Sequence, residues 1–314
     1  MSSDSGVPPV TPPAIPEAIA QDIAKARRLE IWTLLWTGSI VLVMGLVMGS
    51  SQAMKSAWIE DVLSLVPAIV FLIALHFEKR EPNQKFRFGY RRVNSLAFLI
   101  AAVTLTGVGG FLLFEAAKTL LMQEHPTIGP ITIFGHTIWL GWLMIAALLY
   151  SVIPPVILGY MKHPIAEKIQ DKVLHTDALM QKADWMTGLA GIVGVMGVGL
   201  GYWWADAVAA GFISFEILRD GIKNLRIATA ELIDGMPREL ENDDIADDAL
   251  ELEQALLRQY PDAKIQMRES GRYILVQIGN ISVDEWRGID SNVLPERQWR
   301  VDQISLKCPT EAER

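Results

Sequence analysis

Two pairs of carboxylates lie inside apolar stretches of this 314-residue chain. Glu60 and Asp61 stand near the start of one stretch, and Asp177 and Asp184 near the start of another. An ionised side chain is costly in a bilayer, so acids in membrane-crossing segments usually face a protein interior or a water-filled cavity. Carboxylate oxygens are also the ligands that hard divalent cations prefer. These residue types therefore predict a path for a cation.

The second pair is predicted to lie on one face of a helix. Four residues share the spacing i, i+3, i+4, i+7, which stacks side chains along one side of an α-helix. They are Asp177, Met180, Gln181 and Asp184. If this helix touches the one that carries Glu60 and Asp61, the four acids form an oxygen cage whose bound cation offsets the cost of desolvating them.

Other roles for these residues stay open. The acids could instead cap helices at the membrane interfaces or pair with Lys55 and Lys182. His175 is rotated by about 160° from Asp177 and about 180° from Asp184 around the helix axis, so we expect it to bind no metal. The other histidines lie near segment ends with no partner at a ligand spacing, and we expect them to be solvated or interfacial. They are His76, His125, His136 and His163.

Six apolar segments approach the roughly 20 residues that a membrane-spanning helix needs. They run over residues 30–49, 56–77, 93–121, 137–160, 173–201 and 203–222. The uncharged stretch 62–77 is too short to cross a hydrocarbon core about 30 Å thick, so Glu60 and Asp61 are predicted to enter the membrane. The sequence thus predicts a six-helix membrane domain over residues 25–226.

Basic residues fix the predicted orientation of this domain. They crowd the loop between the second and third segments, where residues 79–92 hold six Lys and Arg side chains, and they flank the first segment, the loop between the fourth and fifth, and the end of the sixth. The positive-inside rule places both termini in the cytoplasm. We expect a multi-pass protein of the cell (inner) membrane. Residues 1–24 are rich in proline and predict a disordered arm.

The rest of the chain, residues 227–314, has a different character. Residues 231–314 carry 19 acidic and 10 basic side chains, and their pattern predicts α-β-β-α-β. The predicted helices cover 239–260 and 283–292, and the predicted strands cover 263–268, 273–278 and 299–306. Ser270 and Gly271 suit a hairpin between the first two strands. This order predicts a small cytoplasmic α+β, ferredoxin-like domain.

Several function classes are disfavoured by the same sequence. The acidic tail argues against a nucleic-acid partner. No Gly-rich nucleotide loop, P-loop or nucleophile–base pair is present, so we expect neither an enzyme nor a prosthetic group. The single cysteine, Cys308, excludes an internal disulfide. The acidic run around residues 241–248 is predicted to be a solvated helical face, in a domain whose chief role is dimerisation.

Five local motifs together resemble the cation diffusion facilitator family over nearly the whole chain. SSQAMKSAWIEDVLSL is similar to its second helix, and FRFGYRRVNSLA to its HPFGYGRAEALA motif. FEAAKTL is similar to YEAIRRL, LHTDALMQKADWMTG to the ADALHxxxSD pattern, and WWADAVAAGFIS to WADPIAGLLIA. The resemblance implies a homodimer in the lipid bilayer that exports a divalent metal cation in exchange for protons.

The resemblance also implies a four-ligand site with two residues on the second helix and two on the fifth. Carried over to this sequence, the four positions are Ala57, Asp61, Met180 and Asp184. Alanine cannot bind a metal, and Met180 stands where zinc-transporting members have histidine. We therefore expect Glu60 and Asp177 to replace the missing ligands, and Asp61, Asp177 and Asp184 to exchange protons with the metal.

A carboxylate-rich site without imidazole favours Mn²⁺, Mg²⁺ or Fe²⁺ as the transported ion. Zn²⁺, Co²⁺ and Cd²⁺ stay open, because the Met180 thioether offers a softer ligand. Asn94 also departs from the family pattern, which commonly has glutamate at this position. These departures leave a second hypothesis open, in which the chain binds metal as a membrane sensor or scaffold and transports nothing.

Overall fold

Long helices make up the first three quarters of the chain. The computed structural model describes residues 15–47, 52–123, 129–133, 136–282, 284–288, 293–294 and 297–307. The elements in chain order are α1 (Glu17–Val47), α2 (Gln52–Leu63), α3 (Leu65–Glu78), α4 (Arg92–Met122), the hairpin β1 (Pro130–Ile133) and β2 (His136–Trp139), α5 (Leu140–Ile169), α6 (Lys172–Gly199) and α7 (Ala205–Leu232).

Four of the predicted spans are long and apolar enough to cross a membrane. They are Glu17–Leu46, Trp58–Glu78, Arg92–Met122 and Leu140–Ile169. Helices α6 and α7, with 28 residues each, have the length of a spanning helix, but their described residues do not form a stretch of the same apolar character. The predicted fold class is confirmed as a helical membrane domain with a small C-terminal α+β unit. Helix α7 continues to Leu232, past the predicted domain boundary at residue 226.

The N-terminal arm is shorter than predicted. Residues 1–14 lie outside the described part of the chain, but residues 17–24, which were predicted to be disordered, form the first two turns of α1. The proline-rich composition ends at Pro16, whose carbonyl accepts the first helical hydrogen bond, from Ala20 N at 3.0 Å. Ile19 and Ile23 then pack against the core around buried Ala26, which stabilises the extra turns.

The second predicted span, residues 56–77, is broken into two helices. Helix α2 ends at Leu63, and α3 begins at Leu65 after a single turn residue, Ser64. Pro67 explains the break, because a proline cannot donate a backbone hydrogen bond to residue 63 and its ring crowds that carbonyl. The acidic pair Glu60 and Asp61 therefore lies in the last turn of α2, directly before the break.

Helix α6 lies at the centre of the helical domain. It packs against α3, α4, α5 and α7, and residues 171–178 at its start are all buried. Helices α4 and α7 pack closely because glycines face the partner backbone. A Cβ on Gly109 would lie 2.6 Å from Leu218 N, and one on Gly221 would lie 2.7 Å from Thr106 Cα. The polar face of α6 lies inside the helical domain, where Asp177 and Gln181 are fully buried.

The C-terminal unit is a three-stranded sheet covered by one helix. It comprises α8 (Asp247–Gln259), β3 (Lys264–Ser270), β4 (Tyr273–Gly279), a 3₁₀ turn (Gln298–Arg300) and β5 (Val301–Leu306). Strand β4 is central, antiparallel to β3 and parallel to β5. Leu252 and Leu256 of α8 belong to a buried cluster with Met267, Ile274 and Val276 of the sheet. Gly271, with φ of 63°, follows β3 in the predicted hairpin.

Two predicted helices of this unit differ from the structure. Residues 241–244 are bends instead of helix, because Asn242 Oδ1 accepts a hydrogen bond from Asp244 N at 3.0 Å and stabilises a turn. Residues 284–288, the described part of the predicted helix 283–292, are turn and coil. There the Trp286 ring stacks on Tyr260 at 5.5 Å, and Arg287 N donates to the Tyr260 hydroxyl at 2.8 Å.

Candidate metal site

The end of α2 presents two acids to the interior of the helical domain. Glu60 is 3% exposed, and Asp61 is partly buried. Ser64 at the break is also buried, and its hydroxyl donates to the Asp61 carbonyl at 2.9 Å. Ser64 and the two acids thus lie together at the end of α2.

Helix α6 supplies the third acid. Asp184 interacts electrostatically with Glu60 and Asp61, and more weakly with Asp177, and the Ser64 side chain lies nearby. Thr187, one turn further along α6, lies near Glu60. The acids of the two helices are therefore close enough for their charges to interact.

Glu60, Asp61 and Asp184 form a cluster of acids without a counter-charge among the described residues. None of the three makes an ion pair with another residue that the structure describes. Glu60 Oε1 and Asp184 Oδ1 are both buried without a hydrogen-bond partner. Leaving ionised oxygens in this state is costly, so the cluster is suited to a bound cation or to protons. We refer to these three residues as the carboxylate cluster.

Asp177 has different partners. Its carboxylate bonds to the Lys162 ammonium, which also contacts Glu30 Oε2 at 3.0 Å. All three side chains are 0% exposed, and they come from α6, α5 and α1. The prediction that Asp177 replaces a missing metal ligand is not supported by this geometry, because a lysine already compensates its charge. We refer to Glu30, Lys162 and Asp177 as the buried triad.

The remaining predicted ligands are not brought together in the same way. Met180 is 0% exposed and belongs to an apolar cluster with Leu105, Val108 and Ile217, although it lies one turn before Asp184 on α6. The side chain of Ala57 lies outside the described part of the structure. The structure thus groups Glu60 with Asp61 and Asp184, whereas Asp177 pairs with Lys162.

Sequence reasoning missed Glu30 and Lys162. Lys162 was assigned to a loop, because the fourth span was predicted to end at Tyr160, whereas α5 continues to Ile169. The sequence predicts that the first span begins at Glu30, whereas α1 begins 13 residues earlier, at Glu17. Both predicted spans are too short because hydropathy ends an apolar segment where charged residues occur, although these charged residues are buried in the helices.

The start of α6 is fixed by contacts with the C-terminal unit. Asp171 Oδ1 accepts from Leu174 N at 3.0 Å and so caps the helix. Its Oδ2 accepts from Asn94 Nδ2 at 3.0 Å and from Arg272 Nη2 at 2.9 Å. Arg272 also pairs with Glu78 at 3.1 Å. A glutamate at position 94 would repel Asp171, which explains why asparagine suits this chain.

Comparisons with known proteins agree with this geometry. The sequence profile of the cation efflux transmembrane domain matches residues 31–233. The chain belongs to the cation efflux family, the cation diffusion facilitators. This family consists of transporters and not of enzymes. Its matched region in this chain contains every residue of the carboxylate cluster and of α6.

Several curated relatives are similar to the chain at low identity. The manganese efflux system protein MneS of Bacillus subtilis is 21% identical over 207 residues, which cover 66% of this chain and 67% of the relative. Protein p34 of Rickettsia prowazekii is 22% identical, over 63% of each chain. The zinc transporter ZitB of Escherichia coli is 22% identical over 72% of this chain and 65% of the relative. The chain thus spans about two thirds of the length of these relatives.

Proposed function

We propose that this chain exports a divalent metal cation through the carboxylate cluster. The observation that carries the proposal is the absence of a counter-charge among the described residues around Glu60, Asp61 and Asp184, beside the helix break at Ser64. A divalent ion supplies two positive charges and offsets most of the repulsion among three acids. The family membership, and relatives named for manganese and zinc, support a metal as cargo.

The ligand set favours a hard cation. The cluster offers carboxylates, with the hydroxyls of Ser64 and Thr187 nearby, and no imidazole. Oxygen ligands suit Mn²⁺, Mg²⁺ and Fe²⁺, whereas histidine at position 180 would favour Zn²⁺. Uptake of Mn²⁺, Fe²⁺, Co²⁺, Zn²⁺, Cd²⁺ and Mg²⁺ into reconstituted vesicles measures this preference. Uptake that is faster for Zn²⁺ than for Mn²⁺ and Fe²⁺ contradicts the proposed selectivity.

Proton exchange follows from the same charges. When the metal leaves, neighbouring carboxylates repel one another and bind protons, which return to solution when the next metal enters. In this scheme Glu60, Asp61 and Asp184 exchange the protons, while Asp177 stays paired with Lys162. Metal uptake should therefore depend on an imposed pH gradient, and uptake that ignores the gradient rules out antiport. We also propose that the protein works as a homodimer in the inner membrane, with both termini in the cytoplasm.

Asp61→Ala and Asp184→Ala test the site directly. We expect each variant to abolish metal flux in proteoliposomes, and Glu60→Gln to reduce it. Asp220→Ala on α7 is the matched control, because this half-exposed acid pairs with Lys223 at 3.6 Å, and we expect normal flux. Transport that survives in both Asp61→Ala and Asp184→Ala overturns the site.

The sensor hypothesis makes a different prediction for the wild-type protein. A sensor binds metal at equilibrium but moves none across a sealed vesicle. The sensor is favoured over the exporter if the wild type binds metal but moves none, and if Asp184→Ala no longer binds it. The same reconstituted preparation distinguishes the two functions.

A further inference from the structure

A second group of metal-ligating side chains lies away from the carboxylate cluster, where the helical domain meets the C-terminal unit. His163 and Glu167 are one turn apart on α5, and Glu241 lies in the segment between α7 and α8. His163 Nδ1 is 3.6 Å from Glu167 Oε1, and His163 Nε2 is 3.8 Å from Glu241 Oε1. One ligand atom from each residue lies within 4.8 Å of the others.

These separations fit ligands around an ion better than hydrogen bonds. A nitrogen–oxygen hydrogen bond is shorter, about 2.7–3.2 Å. Ligand atoms bound at about 2.0–2.2 Å to a central divalent ion instead lie roughly 3–4 Å from one another. Two carboxylates and a neutral imidazole also carry the charge that balances one divalent cation. The geometry of the three side chains therefore leaves space for an ion.

A fourth side chain points to the same place. His175 of α6 is 3% exposed, and its ring centroid lies 5.5 Å from that of His163. Its ring makes no hydrogen bond with any residue in the described part of the chain. The ring is therefore a further imidazole beside His163 that is not engaged by another described residue. This imidazole faces away from Asp184, as its position on the helix predicts, and toward His163.

We propose that His163, Glu167 and Glu241, with His175 beside them, form a second divalent-cation site with mixed nitrogen and oxygen ligands. An ion there joins the segment that leads to α8 to the end of α5. The site also lies next to the buried triad, since His163 follows Lys162 and His175 precedes Asp177 by two residues. The proposal does not depend on whether the carboxylate cluster transports metal.

Electron spin echo spectroscopy with Mn²⁺ separates the two sites, because nitrogen coupling reports imidazole ligation and the carboxylate cluster has no imidazole. The full-length protein is used with any histidine tag removed. We expect nitrogen coupling to bound Mn²⁺ in the wild type and in Asp184→Ala, and its loss in His163→Ala. The number of Mn²⁺ ions bound per chain should fall by one in each variant.

Two further variants keep the test independent of folding. Glu241 is 67% exposed, so Glu241→Ala should fold normally and should weaken the nitrogen-coupled Mn²⁺ about tenfold or more. His76→Ala removes an exposed histidine elsewhere and should change nothing. Nitrogen coupling that persists in His163→Ala, or that is absent in the wild type at saturating Mn²⁺, overturns the second site. Neither outcome affects the proposed transport, which fails only if Asp61→Ala and Asp184→Ala still move metal.

Discussion

At the scale of single residues, charge compensation separates acids that the sequence makes look alike. Asp177 and Asp184 lie on the same helix, seven residues apart, and both face the interior. Asp177 bonds to Lys162, whereas Asp184 has no cationic partner among the described residues. An acid with a fixed counter-ion serves structure, while an acid without one is free to bind a mobile cation.

Lys162→Met tests the structural role of the buried triad. Removing the ammonium leaves Glu30 and Asp177 buried without compensation, so we expect a loss of about 3–5 kcal/mol in the free energy of unfolding. This loss of stability should appear as a lower midpoint temperature when the variant is unfolded by heat in nanodiscs. Lys182→Met on α6 is the control, because that lysine is exposed. A combined variant that also carries Glu30→Gln and Asp177→Asn should recover most of the stability. No recovery would contradict the charge argument.

Met180→His tests the origin of metal preference. The side chain lies one helical turn before Asp184, so an imidazole there adds a nitrogen ligand to the carboxylate cluster. We expect the ratio of Zn²⁺ to Mn²⁺ uptake to rise by about tenfold, since nitrogen ligands favour zinc. Met180→Leu keeps the apolar packing and should leave the ratio unchanged. An unchanged ratio in Met180→His, in a variant that still transports, would show that this position does not face the ion.

At the scale of helices, the apolar pattern predicted most of the fold, and local chemistry explains what it missed. Long apolar runs predicted α4 and α6 to within about two residues, because burial in lipid constrains a whole segment. The break at Ser64 was missed although Pro67 signals it, since hydropathy does not register a lost hydrogen bond. The coil at residues 284–288 depends on Trp286 stacking on Tyr260, a contact between distant residues that no local pattern contains.

The carboxylate cluster was predictable to a similar degree. Helical spacing placed Asp184 on an interior face, and the length of the uncharged stretch required Glu60 and Asp61 to enter the membrane. The partner of Asp177 was not predictable, because Lys162 and Glu30 come from helices 15 and 147 residues away from it in sequence. Spacing along one helix cannot reveal a counter-ion that another helix supplies.

The contact between α4 and α7 gives a prediction with a control on the same helix. Gly109→Ala places a Cβ 2.6 Å from the backbone of Leu218, which forces the two helices apart. Gly107→Ala meets nothing within 4 Å and should even favour the helix slightly. We expect Gly109→Ala to lower the thermal midpoint and Gly107→Ala to leave it unchanged or raise it. Equal effects of the two substitutions would show that the helices do not pack this closely.

At the scale of the whole molecule, buried charges join the C-terminal unit to the helical domain. Arg272 in the β3–β4 turn is fully buried between Glu78 of α3 and Asp171 at the start of α6. Burial lowers the pKa of Arg272, but the charges of Glu78 and Asp171 outweigh this effect and hold the pKa above its usual value. The guanidinium therefore stays charged, and the turn is held against the helix that carries Asp184.

Arg272→Ala should loosen this contact without unfolding either part. The substitution leaves Asp171 and Glu78 without their shared cation, and it removes a side chain that holds the hairpin against the start of α6. We expect faster amide hydrogen exchange in residues 171–178 and in the β3–β4 turn, while α4 keeps its protection. Arg258→Ala is the control, because that arginine is exposed on α8. If exchange at the start of α6 is the same in both variants, the C-terminal unit does not hold α6 in place. If it rises only in Arg272→Ala, the position of Asp184 depends on a residue about 90 positions further along the chain.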